Sequence, residues 1–152
     1  MEIFEISSVA RILMVKPSRI KNWTIGRPFA VKPTIQTAKG KGSRNLYSVE
    51  DVNMFALINQ LLKDGISART IKLLLKMIPQ ASLTATSVEG HPWWIISISG
   101  KNVLLDRSTS PLLSFTEEDF SGKYILNIYN LLNWVSRRIV REQVGLLKGK
   151  EK

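Results

Sequence analysis

Nine cations and no anion lie between Glu5 and Glu50: Arg11, Lys16, Arg19, Lys21, Arg27, Lys32, Lys39, Lys41 and Arg44. A solvated surface ordinarily mixes both signs, because like charges repel at short range. A one-signed stretch of this length points to a polyanionic partner. Two groups stand out within it. Lys16, Ser18, Arg19, Lys21 and Asn22 fall together just before Trp23, and Lys39, Lys41 and Arg44 sit in the glycine-rich run AKGKGSR at 38–44. These side chains suit recognition rather than bond-making. Arg pairs bidentately with guanine and Asn with adenine, and further cations neutralise phosphates. The competing reading of such a face is a solvated basic helix; the absence of acids favours DNA. Most of these residues should position the protein on the backbone rather than specify a base. Trp23 keeps helical step with Ile20 and reads as core. Tyr47, just past the second group, either offers its hydroxyl to a phosphate or packs beneath the loop.

Catalytic chemistry finds no constellation. The chain has no cysteine and one histidine, which excludes disulfides, thiolate ligands, Cys nucleophiles and multi-histidine metal sites. His91 lies in a turn beside Glu89 and Pro92, with no nucleophile or orienting acid proposed for it. Glu117, Glu118 and Asp119 read as helix-cap acids rather than a general acid–base pair. The run around Lys41 lacks the full phosphate-loop pattern and its strand–loop–helix setting. No enzyme, metal or cofactor is expected.

The elements that must hold the two basic groups follow from caps and periodicity. Ser7 or Ser8 can cap a short helix to about Leu13, with Val9, Ile12 and Leu13 on its apolar face. After a break at 14–16, Pro17 opens a second helix to about Ile25, where a first-turn proline loses no hydrogen bond. Two short helices joined by a tight turn read as a helix-turn-helix, whose second helix enters the major groove. Residues 34–37 and 45–47 read as two strands around the glycine-rich tip, a wing that would carry Lys39, Lys41 and Arg44 to the backbone. Ser48 with Glu50 and Asp51 marks the start of a third helix, and Ser67 caps a fourth that Pro79 ends.

Beyond Pro79 the composition changes. Residues 83–88, 93–99 and 103–106 read as strands, 112–115 as a further short one, and 121–147 as a long helix. Ile125, Ile128, Leu132, Val135 and Ile139 step by three and four along it, the seam of a coiled-coil dimer. At 1.5 Å per residue, ~26 residues make a rod of ~39 Å, too long for so small a module to bury alone. Arg137, Arg138 and Arg141 then form a solvated flank. Trp93 and Trp94 are adjacent and face opposite sides of their strand; packing is favoured over a ligand pocket.

The 152 residues carry a net charge of +10. Residues 1–79 hold 13 Lys and Arg against 5 Asp and Glu, a net of +8, while residues 80–152 hold 9 against 7, a net of +2. Charge that seeks a partner therefore belongs to the first half. The opening MEIFEISS has no basic region of a signal peptide, and no apolar run reaches the roughly 20 residues of a membrane span. A cytoplasmic protein without a membrane partner is expected.

The pattern resembles the N-terminal domain of the MerR family of transcription regulators. The likeness rests on 6–10, on 15–23, and above all on GSRNLYSVEDV at 42–52, where a wing exit leads straight into a capped helix. The run LKDGISARTIKLL at 62–74 adds the family's Gly–hydrophobic–Ser link between helices. The resemblance covers residues 3–79. It implies a winged helix-turn-helix, an antiparallel coiled-coil homodimer, and activation by bending and untwisting promoter DNA. Met14 stands where the family usually has Gly, Asn22 where it has an aromatic, Thr24 where it has an acid, and 26–38 departs from the usual linker.

The expected architecture is α+β and mostly helical: a winged helix-turn-helix head at 1–79, a small antiparallel β module at 80–120, and a C-terminal dimerisation helix and tail at 121–152. The expected function is a homodimeric DNA-binding transcription regulator on a pseudo-palindromic promoter site. Its expected partners are double-stranded DNA, a second copy, and RNA polymerase at the promoter; no small-molecule effector is identifiable. The alternatives are an architectural or recombination accessory protein, or a protein-interaction module without specific DNA binding.

Overall fold

The helix at Val49–Lys63 is the hub of the molecule, because eight consecutive residues, Asp51 through Ile58, and Leu61 are buried along it. In this computed structural model, residues 2–40, 42–110, 122–145 and 147 are described. Among them the chain forms α1 (Ile6–Leu13), α2 (Pro17–Ile25), α3 (Val49–Lys63), α4 (Ala68–Leu75), a 3-10 turn (Gln80–Ser82), α5 (Ala85–Val88), β1 (Trp93–Ser99), β2 (Asn102–Ser108), β3 (Gly122–Asn127) and α6 (Ile128–Gln143). The fold is α+β, with a three-stranded antiparallel sheet ordered β2-β1-β3.

Local chemistry sets the boundaries. The hydroxyl of Ser48 accepts the Asp51 N–H and the Asp51 carboxylate accepts the Ser48 N–H at 3.0 Å, closing a capping box on α3. Ser67 caps α4 through the Thr70 N–H. At the start of α2, Pro17 fixes the first turn, and Gly26 ends the helix at φ 95°. The capping residue of α1 is Glu5, not Ser7 or Ser8, and it makes no side-chain cap.

One core runs through the described residues, from Phe4, Val9 and Ile12 through Phe55 and Leu61 to Trp94, Leu132 and Ile139. α6 lies across α1, α3 and α5, while β2 reaches α4. The Tyr124 hydroxyl donates to the Asp64 carboxylate and fixes β3 to the end of α3. That bond holds the Asp64 carboxyl below its ordinary range, and burial with the Asp64 contact pushes the Tyr124 phenol up.

Four sequence expectations change. Residues 85–88 are helical rather than strand, because Thr84 and Ser87 cap each other across the turn. The wing strands reduce to one bridge, Gln36 with Leu46, and Tyr47 instead bridges Phe4. The helix expected at 121–147 is shorter: Gly122–Asn127 pairs along β1, with Leu126 opposite Trp94 and Tyr124 opposite Ile96. Asn127 then starts α6 by accepting the Asn130 N–H at 2.9 Å. The fourth change concerns the seam. Ile128, Leu132, Val135 and Ile139 are 0–3 % exposed, buried in the chain's own core, and only Ile125, on β3, reaches the surface. A heptad stripe and the inner stripe of a packed helix have the same spacing, so period alone did not separate them. The strand at 112–115, the acidic cap at 116–119, and residues 121 and 146 of the expected helix lie outside the described residues.

Candidate nucleic-acid interface

Ile20 and Trp23 hold α2 to the core on one side, and this leaves its other side free. Ile20 is fully buried; Trp23 is 4 % exposed, stacked on Phe55 at 6.4 Å and edge-on to Phe29 at 6.1 Å. Trp23 is therefore core, as its spacing indicated. Lys16, Ser18, Arg19, Lys21 and Asn22 are all exposed. Four of them, Lys16, Ser18, Arg19 and Asn22, line one open hollow of about 240 Å³ together with Trp23 and Arg27. Lys21 points elsewhere on the helix and does not line it. Arg27 was missed by the motif reading because it follows the helix; its only signal was membership of the acid-free run.

The Arg19 guanidinium lies over the Trp23 ring, 5.7 Å from its centroid. This contact steers the guanidinium without neutralising it. Lys16, Arg19, Lys21 and Arg27 have no ion-pair partner among the described residues. Three uncompensated cations, Lys16, Arg19 and Arg27, around an open hollow make a surface for an anionic ligand, and a short amide (Asn22) beside Arg19 can read hydrogen-bonding edges.

The loop at 36–46 leads into Tyr47, whose hydroxyl meets Thr24 on this helix. Gln36 and Leu46 exchange backbone hydrogen bonds at 3.2 and 2.8 Å. Lys39 donates its backbone N–H to the Ser43 hydroxyl at 2.6 Å, and Gly40 and Gly42 turn the tip at φ 106° and 88°. The Lys39 side chain is exposed. Lys41 lies outside the described residues. Arg44 is exposed but paired, 2.6 Å from Glu5.

Tyr47 is corrected from contact to core. It is fully buried and edge-on to Phe55 at 5.5 Å. Its hydroxyl meets Thr24 Oγ1 at 2.8 Å, and Thr24 donates its single proton to the Ile20 carbonyl at 2.8 Å, so Tyr47 is the donor. Burial pushes the phenol above its ordinary value. Tyr47 thus joins the foot of the loop to α2. Asp51 makes a second tie: its carboxylate accepts the Thr34 N–H and hydroxyl, each at 2.9 Å, and the Gln80 amide. Helix and loop are fixed to the same end of α3.

Two basic residues are not available to a ligand. Arg11 is forked onto Glu142, and Arg138, expected on a solvated flank, donates to the carbonyls of Ile12 and Arg11 at 2.9 and 2.8 Å. Among the described residues no cluster of His, Asp or Glu could hold a metal, and no helix is long and apolar enough to cross a membrane.

Among curated proteins none matches the chain. Residues 4–78 match the family described as MerR HTH family regulatory protein, a family of DNA-binding transcription regulators rather than enzymes. The match takes in α1, the exposed α2 face, the loop at 36–46, and α3 with α4, so residues 4–78 form a helix-turn-helix domain of the MerR family.

Proposed function

We propose that this protein is a transcription regulator that reads duplex DNA with α2 in the major groove and braces the loop at 36–46 on the adjacent backbone. The observation that carries the reading is the α2 face itself: Lys16, Ser18, Arg19, Asn22 and Arg27 gather on one hollow without an acid. Arg19 and Asn22 are the base-reading pair; Lys16, Lys21, Arg27 and Lys39 meet phosphates, and Lys41 and Arg44 belong to the same loop. Two copies would present two heads to a two-fold-related promoter site. Of the five seam residues, Ile125 is the one accessible to a second copy.

Selection of bound duplexes from a random pool, followed by titration of the recovered duplex, tests this. A shared inverted repeat and tight binding are expected. Arg19→Ala combined with Lys21→Ala should weaken binding by at least about tenfold at moderate salt, by roughly 1–3 kcal/mol for a lost base contact. Unchanged affinity sinks the proposal. Sedimentation of Ile125→Asp tests pairing: a dimer that survives it uses other residues.

A further inference from the structure

Met14 is the only non-glycine described residue with positive φ, at φ 58° and ψ 41°. It forms the turn between the two helices of the head. Its N–H and the Val15 N–H fold back on carbonyls of α1, Val15 onto Ala10 at 3.0 Å and Met14 onto Arg11 at 3.4 Å. This is a left-handed helix stop that glycine adopts without penalty and a side-chain-bearing residue resists. Nothing in the Met14 side chain compensates, since it is 59 % exposed. Such a residue persists only where its surroundings over-determine it.

The surroundings come from the other end of the chain. Arg138 on α6 reaches the same turn and donates through Nε to the Ile12 carbonyl at 2.9 Å and through a terminal nitrogen to the Arg11 carbonyl at 2.8 Å. These are last-turn carbonyls of α1 that its own helix leaves open. The Arg11 carbonyl is shared between Arg138 and the Met14 N–H. The guanidinium is itself fixed over the Trp134 ring at 5.7 Å.

We propose that Arg138 is a positioning residue for DNA recognition: by holding the Ile12 and Arg11 carbonyls it pins the left-handed turn at Met14 and so sets the angle at which α2 meets DNA. This rests on the DNA-reading role of α2. It also makes α6, which follows β3 directly, a lever on the recognition helix.

A cycle of Arg138→Met, Met14→Gly and the double variant tests it, with Arg138→Lys as the milder change should Arg138→Met fail to fold. Amide exchange at Met14 and Val15 is read in the free proteins. Affinity is read for the duplex that the wild-type protein selects, well below every unfolding midpoint. Arg138→Met should speed exchange at both amides and weaken binding by roughly 2- to 30-fold, the range of a 0.5–2 kcal/mol coupling. Met14→Gly should leave wild-type affinity nearly unchanged and should restore most of the affinity lost by Arg138→Met, because glycine holds the turn unaided. A purely structural Arg138 would show equal losses with and without Met14→Gly, and that result overturns the proposal, as does unchanged exchange in Arg138→Met. If the wild-type protein selects no duplex, the DNA reading fails, and the exchange arm still decides whether Arg138 pins the turn.

Discussion

Arg11 and Glu142 are 131 residues apart in sequence and form a two-pronged ion pair, Arg11 Nε to both carboxylate oxygens at 3.0 and 3.1 Å and a terminal nitrogen to one at 2.6 Å. The pair joins α1 of the head to α6, the last helix among the described residues. Its side chains are 20 % and 13 % exposed, between a surface and a buried pair. Arg11 thereby leaves the DNA-facing set, although its sequence neighbourhood is that of the other eight cations.

Glu142→Gln should therefore destabilise the protein by about 1.5–3 kcal/mol, the usual range for hydrogen bonds to charged groups, read as a lower urea midpoint. The pH dependence has a definite sign. Hydrogen bonding and charge from Arg11 hold the Glu142 carboxyl below its ordinary value of 4.5. A carboxyl depressed in the folded state contributes stability that is complete above its unfolded value and lost as pH falls through the folded one. Wild-type stability should drop below about pH 4.5, and Glu142→Gln should flatten that limb. Parallel wild-type and variant curves in acid contradict the pair.

Asp51 makes the second prediction because all its donors converge on one fully buried carboxylate. Ser48 N–H, the N–H and hydroxyl of Thr34, and the Gln80 amide all point at it. Asparagine has one oxygen, and its amino group would face donors. Asp51→Asn should thus cost nearly as much as Asp51→Ala, about 2–4 kcal/mol by loss of a buried network. A mild Asp51→Asn with a severe Asp51→Ala in urea titrations would show that shape, not charge, matters there.

The head was legible in the sequence because its signals are local. Ser48 with Asp51, Pro17 and Gly26 mark helix ends by chemistry within four residues. The spacing of Ile20 and Trp23 separated the buried side of α2 from the basic one. What could not be read depends on distant partners. Only the tertiary fold shows that Arg11 and Arg138 are already occupied, or that Tyr47 donates inward to Thr24. The dimer seam failed for a related reason: Leu132 and Ile139 satisfy a heptad and an ordinary core stripe equally, and the choice rests on whether α1 and α3 are there to cover them.

Tyr47→Phe separates core from contact directly. Removing the hydroxyl leaves Thr24 with one partner fewer, and stability should fall by about 1 kcal/mol, the net value of a hydrogen bond. Affinity for the selected duplex and its dependence on salt should stay as in the wild type, since a buried hydroxyl meets no phosphate. Weaker binding in Tyr47→Phe at an unchanged salt dependence would return Tyr47 to the interface, because a neutral hydroxyl on a phosphate adds affinity without releasing a counterion.

The Glu5–Arg44 pair gives the last prediction. Its side chains are 50 % and 70 % exposed, so the pair adds little to stability, about 0–1 kcal/mol at most. Its effect on binding should be larger. Glu5 brings a negative charge to the foot of a loop meant for phosphates, and it occupies one edge of the only described cation at the loop's return. Glu5→Gln should leave the urea midpoint nearly unchanged, release the Arg44 guanidinium and tighten binding severalfold at low salt. The gain should shrink as salt rises, because each phosphate contact carries its own counterion release. Arg44→Ala should weaken binding in either background and remove the gain from Glu5→Gln. If Glu5→Gln weakens binding instead, Glu5 orients Arg44 toward the backbone rather than competing with it.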